Sequence, residues 1–297
     1  MGNSRINRIR PAGSIQGRSI MKLDTEYLNA RKLILPSPEK VVLHLVGCGG
    51  TGSWLAPDIA RIALLLREKF HKEVVVVYQD MDVVEEKNVF RQNFCYAEIG
   101  KNKAETLASR YGHAWGIETV AITEPFEKKP SSDYNTLYVM IGCADNALAR
   151  RALHETLYTT EWTHSHYVWL DCGNTKNYGQ ILVGTEYRTD KTMPNPFAID
   201  DHCTWLPSPA IQHTELLEAL PEESRPEGNL SCADLALQDS QGLSINKRVA
   251  AEAADFLIKM LITQDLKRFA CYMDLESGST QSLYISSNQL KQYLQEG

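Results

Sequence analysis

No two cysteines of this 297-residue chain form a Cys-x-x-Cys pair, and none of its apolar runs is long. The seven cysteines are an odd number and scattered, which excludes a regular disulfide frame and suits reduced thiols in a cytoplasm. The longest apolar candidate, Ala60 to Leu66, contains Arg61 and stops at Arg67. It is far short of the ~18–20 residues that span a bilayer, so no membrane segment is expected. Positive charge is not in excess either. Against 37 acidic residues stand 31 lysines and arginines, a net charge of −6, which argues against a general nucleic-acid binder. Arg5, Arg8, Arg10 and Arg18 fall in the first thirty residues without an apolar signal core, so a cytoplasmic address is expected rather than secretion. What remains is a globular composition, 43% hydrophobic and 23% charged, long enough for one large domain or a domain with a small appendage.

Residues 1–35 are polar, basic and weakly periodic, and read as an N-terminal arm. Val41 to Val46 is a continuous apolar run, rich in β-branched residues, that ends at glycines. A strand buried on both faces reads this way. Leu55, Ile59, Ile62 and Leu66 then recur at helical spacing, so a helix is predicted from near Gly52. Val74–Tyr78, Glu118–Ile122 and Leu137–Ile141 read as further strands, and Ala97–Tyr111 and Asn146–Tyr158 as helices. Tyr167–Asp171 and Gln180–Val183 lie close enough together to pair antiparallel. The alternation predicts an α/β fold, a Rossmann-like, mostly parallel sheet with helices on both faces, over residues 36–183. Residues 184–243 form a crossover loop, since six of the twelve prolines fall between Gly184 and Leu230. Residues 244–297 complete the same domain with an antiparallel part. There Ile245, Val249, Ala253, Phe256 and Met260 mark one amphipathic helix, Phe269–Met273 and Ser282–Ile285 a closing hairpin, and the tail from Asn288 a helix.

The chemistry concentrates at the first strand–helix junction, Val46-Gly47-Cys48-Gly49-Gly50-Thr51-Gly52-Ser53. Glycines allow a tight turn and bring backbone N–H groups close to phosphate oxygens, while the helix N-terminus adds partial positive charge. Gly47, Gly49 and Gly52 satisfy Gly-x-Gly-x-x-Gly in the strand–turn–helix setting that gives the pattern its meaning. A glycine-rich packing turn is the bland alternative, and a nucleotide site the sharper one. Asp80, at the end of the second strand, supplies an acid for a ribose hydroxyl. A dense polar set follows it: Asp82, Glu85, Asn88, Arg91, Gln92, Lys101 and Lys103. Fixed cations beside phosphates suit phosphate transfer better than hydride chemistry. Val89, Phe90 and Phe94 interleave the set and are expected to anchor it. Asp145 follows a strand and opens a helix, so it reads equally as a helix cap or as a functional carboxylate.

At these residues the chain resembles the ThiF/MoeB family of the ubiquitin-activating enzyme superfamily. The matching pieces are Val46 to Ser53, Asp80-x-Asp82-x-Val84, Asn88-x-x-Arg91-Gln92, Ile99-Gly100-x-x-Lys103-Ala104-Glu105 and Cys143-Ala144-Asp145-Asn146, with Arg150 or Arg151 beyond. Order and spacing both fit, over roughly Pro38 to Leu261. The subgroup it is most similar to is the stand-alone bacterial one found with ubiquitin-like, conjugating-enzyme-like and deubiquitinase-like proteins. The resemblance implies an adenylyltransferase that uses ATP and Mg²⁺ to adenylate the C-terminal glycine of a ubiquitin-like protein, within residues 36–183. By carry-over Gly47, Gly49, Gly50 and Gly52 contact ATP, and Asp80 and Asp82 form the second-strand exit beside it, Asp80 on the ribose. Asn88, Arg91, Gln92 and Lys103 surround the phosphates, and Asp145 binds the metal. A homodimer is also implied, with an N-terminal arginine (Arg5, Arg8, Arg10, Arg18 or Arg31) reaching the partner's ATP; no motif selects one.

In the superfamily a crossover cysteine often takes the acyl group as a thioester for transfer to a conjugating enzyme. Cys232, in Asn229-Leu230-Ser231-Cys232-Ala233-Asp234, resembles that segment. A thiolate there would attack the acyl-adenylate, whereas most free cysteines are small buried hydrophobes. Cys203 resembles the place of the first zinc cysteine of many relatives, but its partner is missing, so no structural zinc is expected. His164-Ser165-His166 reads as a polar turn, and Cys48, Cys95, Cys143, Cys172 and Cys271 as core. Two other activities share the glycine turn: activation of a sulfur-carrier protein in cofactor biosynthesis, and NAD- or FAD-dependent oxidoreduction. The second leaves Arg91, Lys103 and Asp145 without a task.

Overall fold

The computed structural model describes residues 25–127, 133–159, 165–188, 195–199, 202–219 and 243–293. β1 (Lys40–Val46), α1 (Gly50–Phe70) and β2 (Glu73–Gln79) form the first unit; α2 (Lys103–Trp115) and β3 (Glu118–Ile122) follow. The chain crosses back to β4 (Thr136–Gly142), α3 (Ala147–Leu157), β5 (His166–Asn174) and β6 (Tyr178–Thr185). After the crossover come α4 (Leu243–Leu261) and the hairpin β7 (Arg268–Asp274) and β8 (Thr280–Tyr284).

All eight strands belong to one sheet, ordered β8-β7-β6-β5-β4-β1-β2-β3. β3, β2, β1, β4 and β5 run parallel, and β6, β7 and β8 continue the sheet antiparallel. The parallel half therefore has the order 3-2-1-4-5 of a Rossmann-like fold, with the direction of winding reversing between β1 and β4. β1 sits at the centre because its run is apolar on both faces. Leu43 and Leu45 face the larger core with Leu55, Ile59 and Ile62 of α1 and Val249 and Phe256 of α4; Val42 and Val46 face the smaller one with Leu153 and Trp169. Each fully buried leucine or isoleucine contributes on the order of 2 kcal/mol by leaving water. His44 faces the smaller core too, 5.6 Å edge-on to Phe126, with Nε2 2.8 Å from Gln79 Oε1. Burial holds its pKa down at about 4, so it packs as a neutral ring.

Four local readings are corrected. Residues 97–111 are not one helix: Tyr96–Glu98 is a 3₁₀ turn, Gly100 adopts φ +84°, and α2 begins only at Lys103. Asn102 caps it, its side chain accepting the Glu105 N–H at 3.0 Å. Cys95 is exposed, because it starts that 3₁₀ turn rather than joining the core. Phe90 is 69% exposed, leaving Phe94 as the buried aromatic anchor of its loop. His166 opens β5 instead of lying in a turn; His164 is outside the described residues. Lys32–Leu33 pairs parallel with His202–Cys203. No helix among the described residues is long and apolar enough to cross a membrane.

Candidate functional site

The turn between β1 and α1 lies at the carboxyl ends of the strands, where the winding reverses. In open α/β sheets this is where ligands bind. Gly47 donates its N–H to Gln79 O at 2.9 Å, and Val46 O accepts from Cys143 N–H at 2.7 Å, so the turn is fastened to β2 on one side and β4 on the other. Gly47 has φ +92°, and a Cβ there would stand 2.7 Å from Cys143 C. At Gly52 a Cβ would stand 2.0 Å from Gly47 O, so turn and helix close on each other with no room for a side chain. Gly49 differs. The nearest atom to a Cβ built there is Gln92 Nε2, 3.8 Å away, and the glycine leaves an open notch at the helix N-terminus. Gly49 is the N-cap and offers no side-chain hydrogen bond, so the first N–H groups of α1 face that notch without one.

Polar side chains surround the notch. Asp80 Oδ2 accepts the Cys48 N–H at 2.7 Å and Oδ1 accepts the Asp82 N–H at 2.8 Å. Asp80 thus shapes the glycine turn itself. Burial raises its pKa, and the Lys103 charge works in the opposite direction. Lys103, 6% exposed, reaches Asp82 Oδ2 at 2.8 Å, while Asp82 remains largely open. Asn102 holds this lysine in place by donating Nδ2–H to Asp80 O at 2.9 Å and Asp82 O at 3.1 Å. Sequence reasoning missed Asn102, although Asn-x-x-Glu at 102–105 is a helix-start signal.

The Asn88–Gln92 loop is anchored by a proline. Pro57 lies inside α1 and has no N–H for the Ser53 carbonyl four residues earlier. That carbonyl accepts Asn93 Nδ2–H at 3.2 Å instead, and Ser53 Oγ accepts the Asn93 N–H at 2.9 Å. Gln92 is thereby set against the notch, with its Oε1 buried and without a hydrogen-bond partner among the described residues. Asn88 is turned to local work, its Oδ1 accepting the Glu85 N–H at 2.9 Å. Arg91 accepts Trp54 Nε1–H on its carbonyl at 3.1 Å. Pro57 was the readable signal for this anchor, an interior proline that releases one carbonyl.

Asp145 stands two residues beyond Cys143, whose neighbour Ala144 abuts Gly47. The two readings left open for it now separate. The cap of α3 is Asn146, whose Oδ1 accepts the Ala149 N–H at 2.8 Å, so Asp145 is not needed as a cap and is exposed. The structure thus brings Gly47, Gly49, Gly52, Asp80, Asp82, Gln92, Lys103 and the 143–145 segment to one end of the sheet. Gly50 instead packs against Asn246 of α4. Cys232 and Arg5, Arg8, Arg10 and Arg18 lie outside the described residues. Among the described cysteines, burial pushes the Cys203 thiol up to about 12 and the Cys271 thiol to about 11, and holds the Cys48 thiol well above its ordinary value. These are packing groups rather than nucleophiles. No group of three His, Cys, Asp or Glu residues able to hold a metal occurs among the described residues.

Fold and turn together define an α/β protein with a glycine turn at the switch point of its sheet. Residues 39–193, just over half of the chain, match the model of the ThiF family, and the chain belongs to that family. No curated protein matches it. Among solved structures it is similar to PaaA, in its selenomethionine form, at 13% identity over 82% of this chain and 64% of that one, with a TM-score of 0.48. It is also similar to E. coli MccB with ATP, at 17% identity over 85% of this chain and 65% of that one, TM-score 0.48. E. coli MccB with AMPCPP and selenomethionine MccA gives 18% identity over 84% and 64%, TM-score 0.47. The chain spans just under two thirds of the length of each.

Proposed function

We propose that this chain is an ATP-dependent adenylyltransferase acting on a C-terminal carboxylate, and that its substrate is a ubiquitin-like protein ending in glycine. The observation that carries the reading is the notch at Gly49, at the N-terminus of α1, faced by the Gln92 amide nitrogen, 3.8 Å from where a Cβ would stand, and flanked by buried Lys103. A Cβ would enter that space, and a phosphate at a helix N-terminus needs it. Membership of the ThiF family and the ordered motif set from Gly47 to Asp145 support the same reading.

In this reading the triphosphate lies along Gly47, Gly49 and Gly52, with Gly50 backed by Asn246 behind the turn and the ribose at Asp80. Arg91, Gln92 and Lys103 serve the phosphate end, with Asp82 holding Lys103 and Asn88 shaping the loop that carries Arg91 and Gln92. A carboxylate oxygen of the substrate attacks the α-phosphorus, a P–O bond forms to it, and the bond to pyrophosphate breaks. Two anions must approach, so the residues work by positioning and by neutralising charge. Lys103 is suited to this because its ammonium is buried beside an exposed counter-ion, and an exposed Asp82 can yield to a phosphate. Asp145, released from capping, would hold Mg²⁺ as a single carboxylate with the phosphates supplying the other ligands. The metal would supply further neutralisation of the transferring and leaving phosphates. Cys232 then attacks the acyl carbonyl as a thiolate, forming a thioester and releasing AMP, for delivery to a conjugating-enzyme-like protein. The chain acts as a homodimer.

The experiment is carrier-dependent ATP–pyrophosphate exchange, run with each small glycine-ended protein encoded beside this chain. Exchange with one of them, and a reducible adduct lost in Cys232→Ala, is the expected result. A chain that binds NAD in preference to ATP, or no nucleotide, refutes the reading. An adduct that persists in Cys232→Ala moves the nucleophile elsewhere.

A further inference from the structure

A glycine turn has no side chains with which to hold its own orientation. The N–H groups at the start of α1 point wherever the first turn of the helix points, so something outside the turn has to fix it. In this chain that support comes from residues distant in sequence. Asn246, in the first turn of α4, is 1% exposed, and its side-chain amide lies against the α-carbon of Gly50: a Cβ there would be 2.8 Å from Asn246 Oδ1 and 3.0 Å from Nδ2. Thr51 donates its hydroxyl hydrogen to Asn246 Oδ1 at 3.4 Å. Asn174, the last residue of β5, donates Nδ2–H to Asn246 Oδ1 at 2.6 Å and to Thr51 Oγ1 at 2.9 Å. Three elements, α1, β5 and α4, thus meet in one buried polar knot directly behind the nucleotide turn. The next residue, Lys247, sets its Nζ 4.0 Å over the Trp54 ring, and that indole donates to the Arg91 carbonyl at 3.1 Å. The start of α4 therefore braces both sides of the notch, the glycine turn through Asn246 and the Arg91–Gln92 loop through Trp54.

We infer that Asn246 is a positioning residue for the nucleotide: the helix that follows the crossover, and not the first strand–helix unit alone, sets how tightly the turn holds a phosphate. The inference rests on the adenylation reading of the turn.

The test is a double-mutant cycle read as ATP affinity by calorimetry, with the melting temperature of the ligand-free chain recorded alongside. Asn246→Ala removes the amide and is expected to weaken ATP about 10-fold, the scale of one to two hydrogen bonds. Gly50→Ala places a methyl against the amide and should weaken ATP more. The double variant Gly50→Ala/Asn246→Ala has room for the methyl and should bind ATP more tightly than Gly50→Ala alone. Such rescue of a turn glycine by truncating a residue of α4 is not expected from a loss of general stability. Thr51→Val, which keeps the shape and removes the hydroxyl, is the second probe and should weaken ATP even if Asn246→Ala does not fold. Wild-type affinity in Asn246→Ala or Thr51→Val, or a double variant no better than Gly50→Ala, overturns the inference. If the unaltered chain binds no ATP, it is the adenylation reading that fails.

Discussion

The glycines of the turn are expected to fail for different reasons, and two alanine substitutions separate them. At Gly52 the new methyl meets Gly47 O at 2.0 Å, while ordinary contact begins near 3.4 Å, so helix and turn must part by about 1.4 Å. Strain of that kind costs roughly 1–3 kcal/mol of stability, and a displacement of about 1 Å at a binding turn costs about 100-fold in function. Gly52→Ala should therefore lower both the melting temperature and ATP affinity. At Gly49 the nearest atom is 3.8 Å away, so the protein accepts the methyl and loses only the difference between glycine and alanine at an N-cap, about 1 kcal/mol or less. That is a fall of no more than about 4 °C in a domain of this size. The methyl nonetheless occupies the notch where a phosphate oxygen would approach the backbone. Thermal melts with and without ATP read both quantities. At a concentration 100 times the dissociation constant, ATP stabilises the unaltered chain by about 2.7 kcal/mol; an affinity 100-fold weaker leaves about 0.4 kcal/mol. Gly49→Ala should thus melt nearly like the unaltered chain yet respond little to ATP. A full ATP response in Gly49→Ala would refute the placement of the phosphate in the notch. An unperturbed melt in Gly52→Ala would refute the packing argument.

Three further outcomes are expected. Lys103→Met removes a buried charge that pairs with the exposed Asp82 and also favours the ionised Asp80, and the fold should hold while pyrophosphate exchange falls about 100-fold or more, the scale of one lost charge-stabilising donor. Asp145→Asn should abolish Mg²⁺-dependent exchange without lowering the melting temperature, whereas Asn146→Ala should cost about 1 kcal/mol of stability by uncapping α3; the reverse pattern would return Asp145 to a structural role. Acid should destabilise the fold through His44. Its pKa is lowered on folding from 6.5 to about 4, so its contribution is complete above pH 6.5 and is lost as pH falls, about 1.4 kcal/mol per unit and about 3 kcal/mol by pH 4. Chemical melts across that window, compared with those of His44→Leu, should show the slope in the unaltered chain alone.

Much of the fold was legible along the chain because its signals are local. The apolar run Val41–Val46, the helical spacing of Leu55, Ile59, Ile62 and Leu66, and the hairpin at the end each declare their element over fewer than twenty residues, and the structure places all of them in one sheet and its covering helices. The glycine turn was legible for the same reason: only glycine tolerates φ +92° at residue 47 and the approach of Gly47 O at residue 52. Where the sequence misled, a neighbour in space had overruled a local pattern. Residues 97–111 carry helix-forming residues, yet Gly100 and the Asn102 cap divide them, and Phe90 looked like an anchor until Phe94 took the buried position.

Residue types and their order along the chain thus settled which elements form and which family the turn and its polar set belong to. Tertiary structure alone decided what each polar side chain is free to do. Asp145 is available because Asn146 takes the cap, Gln92 faces the notch because Pro57 releases a carbonyl for Asn93, and Asn246 reaches Thr51 from α4 across 195 residues of sequence. Hydrogen-bond partners are chosen by distance in space, and no spacing along a chain encodes that distance before the sheet has closed.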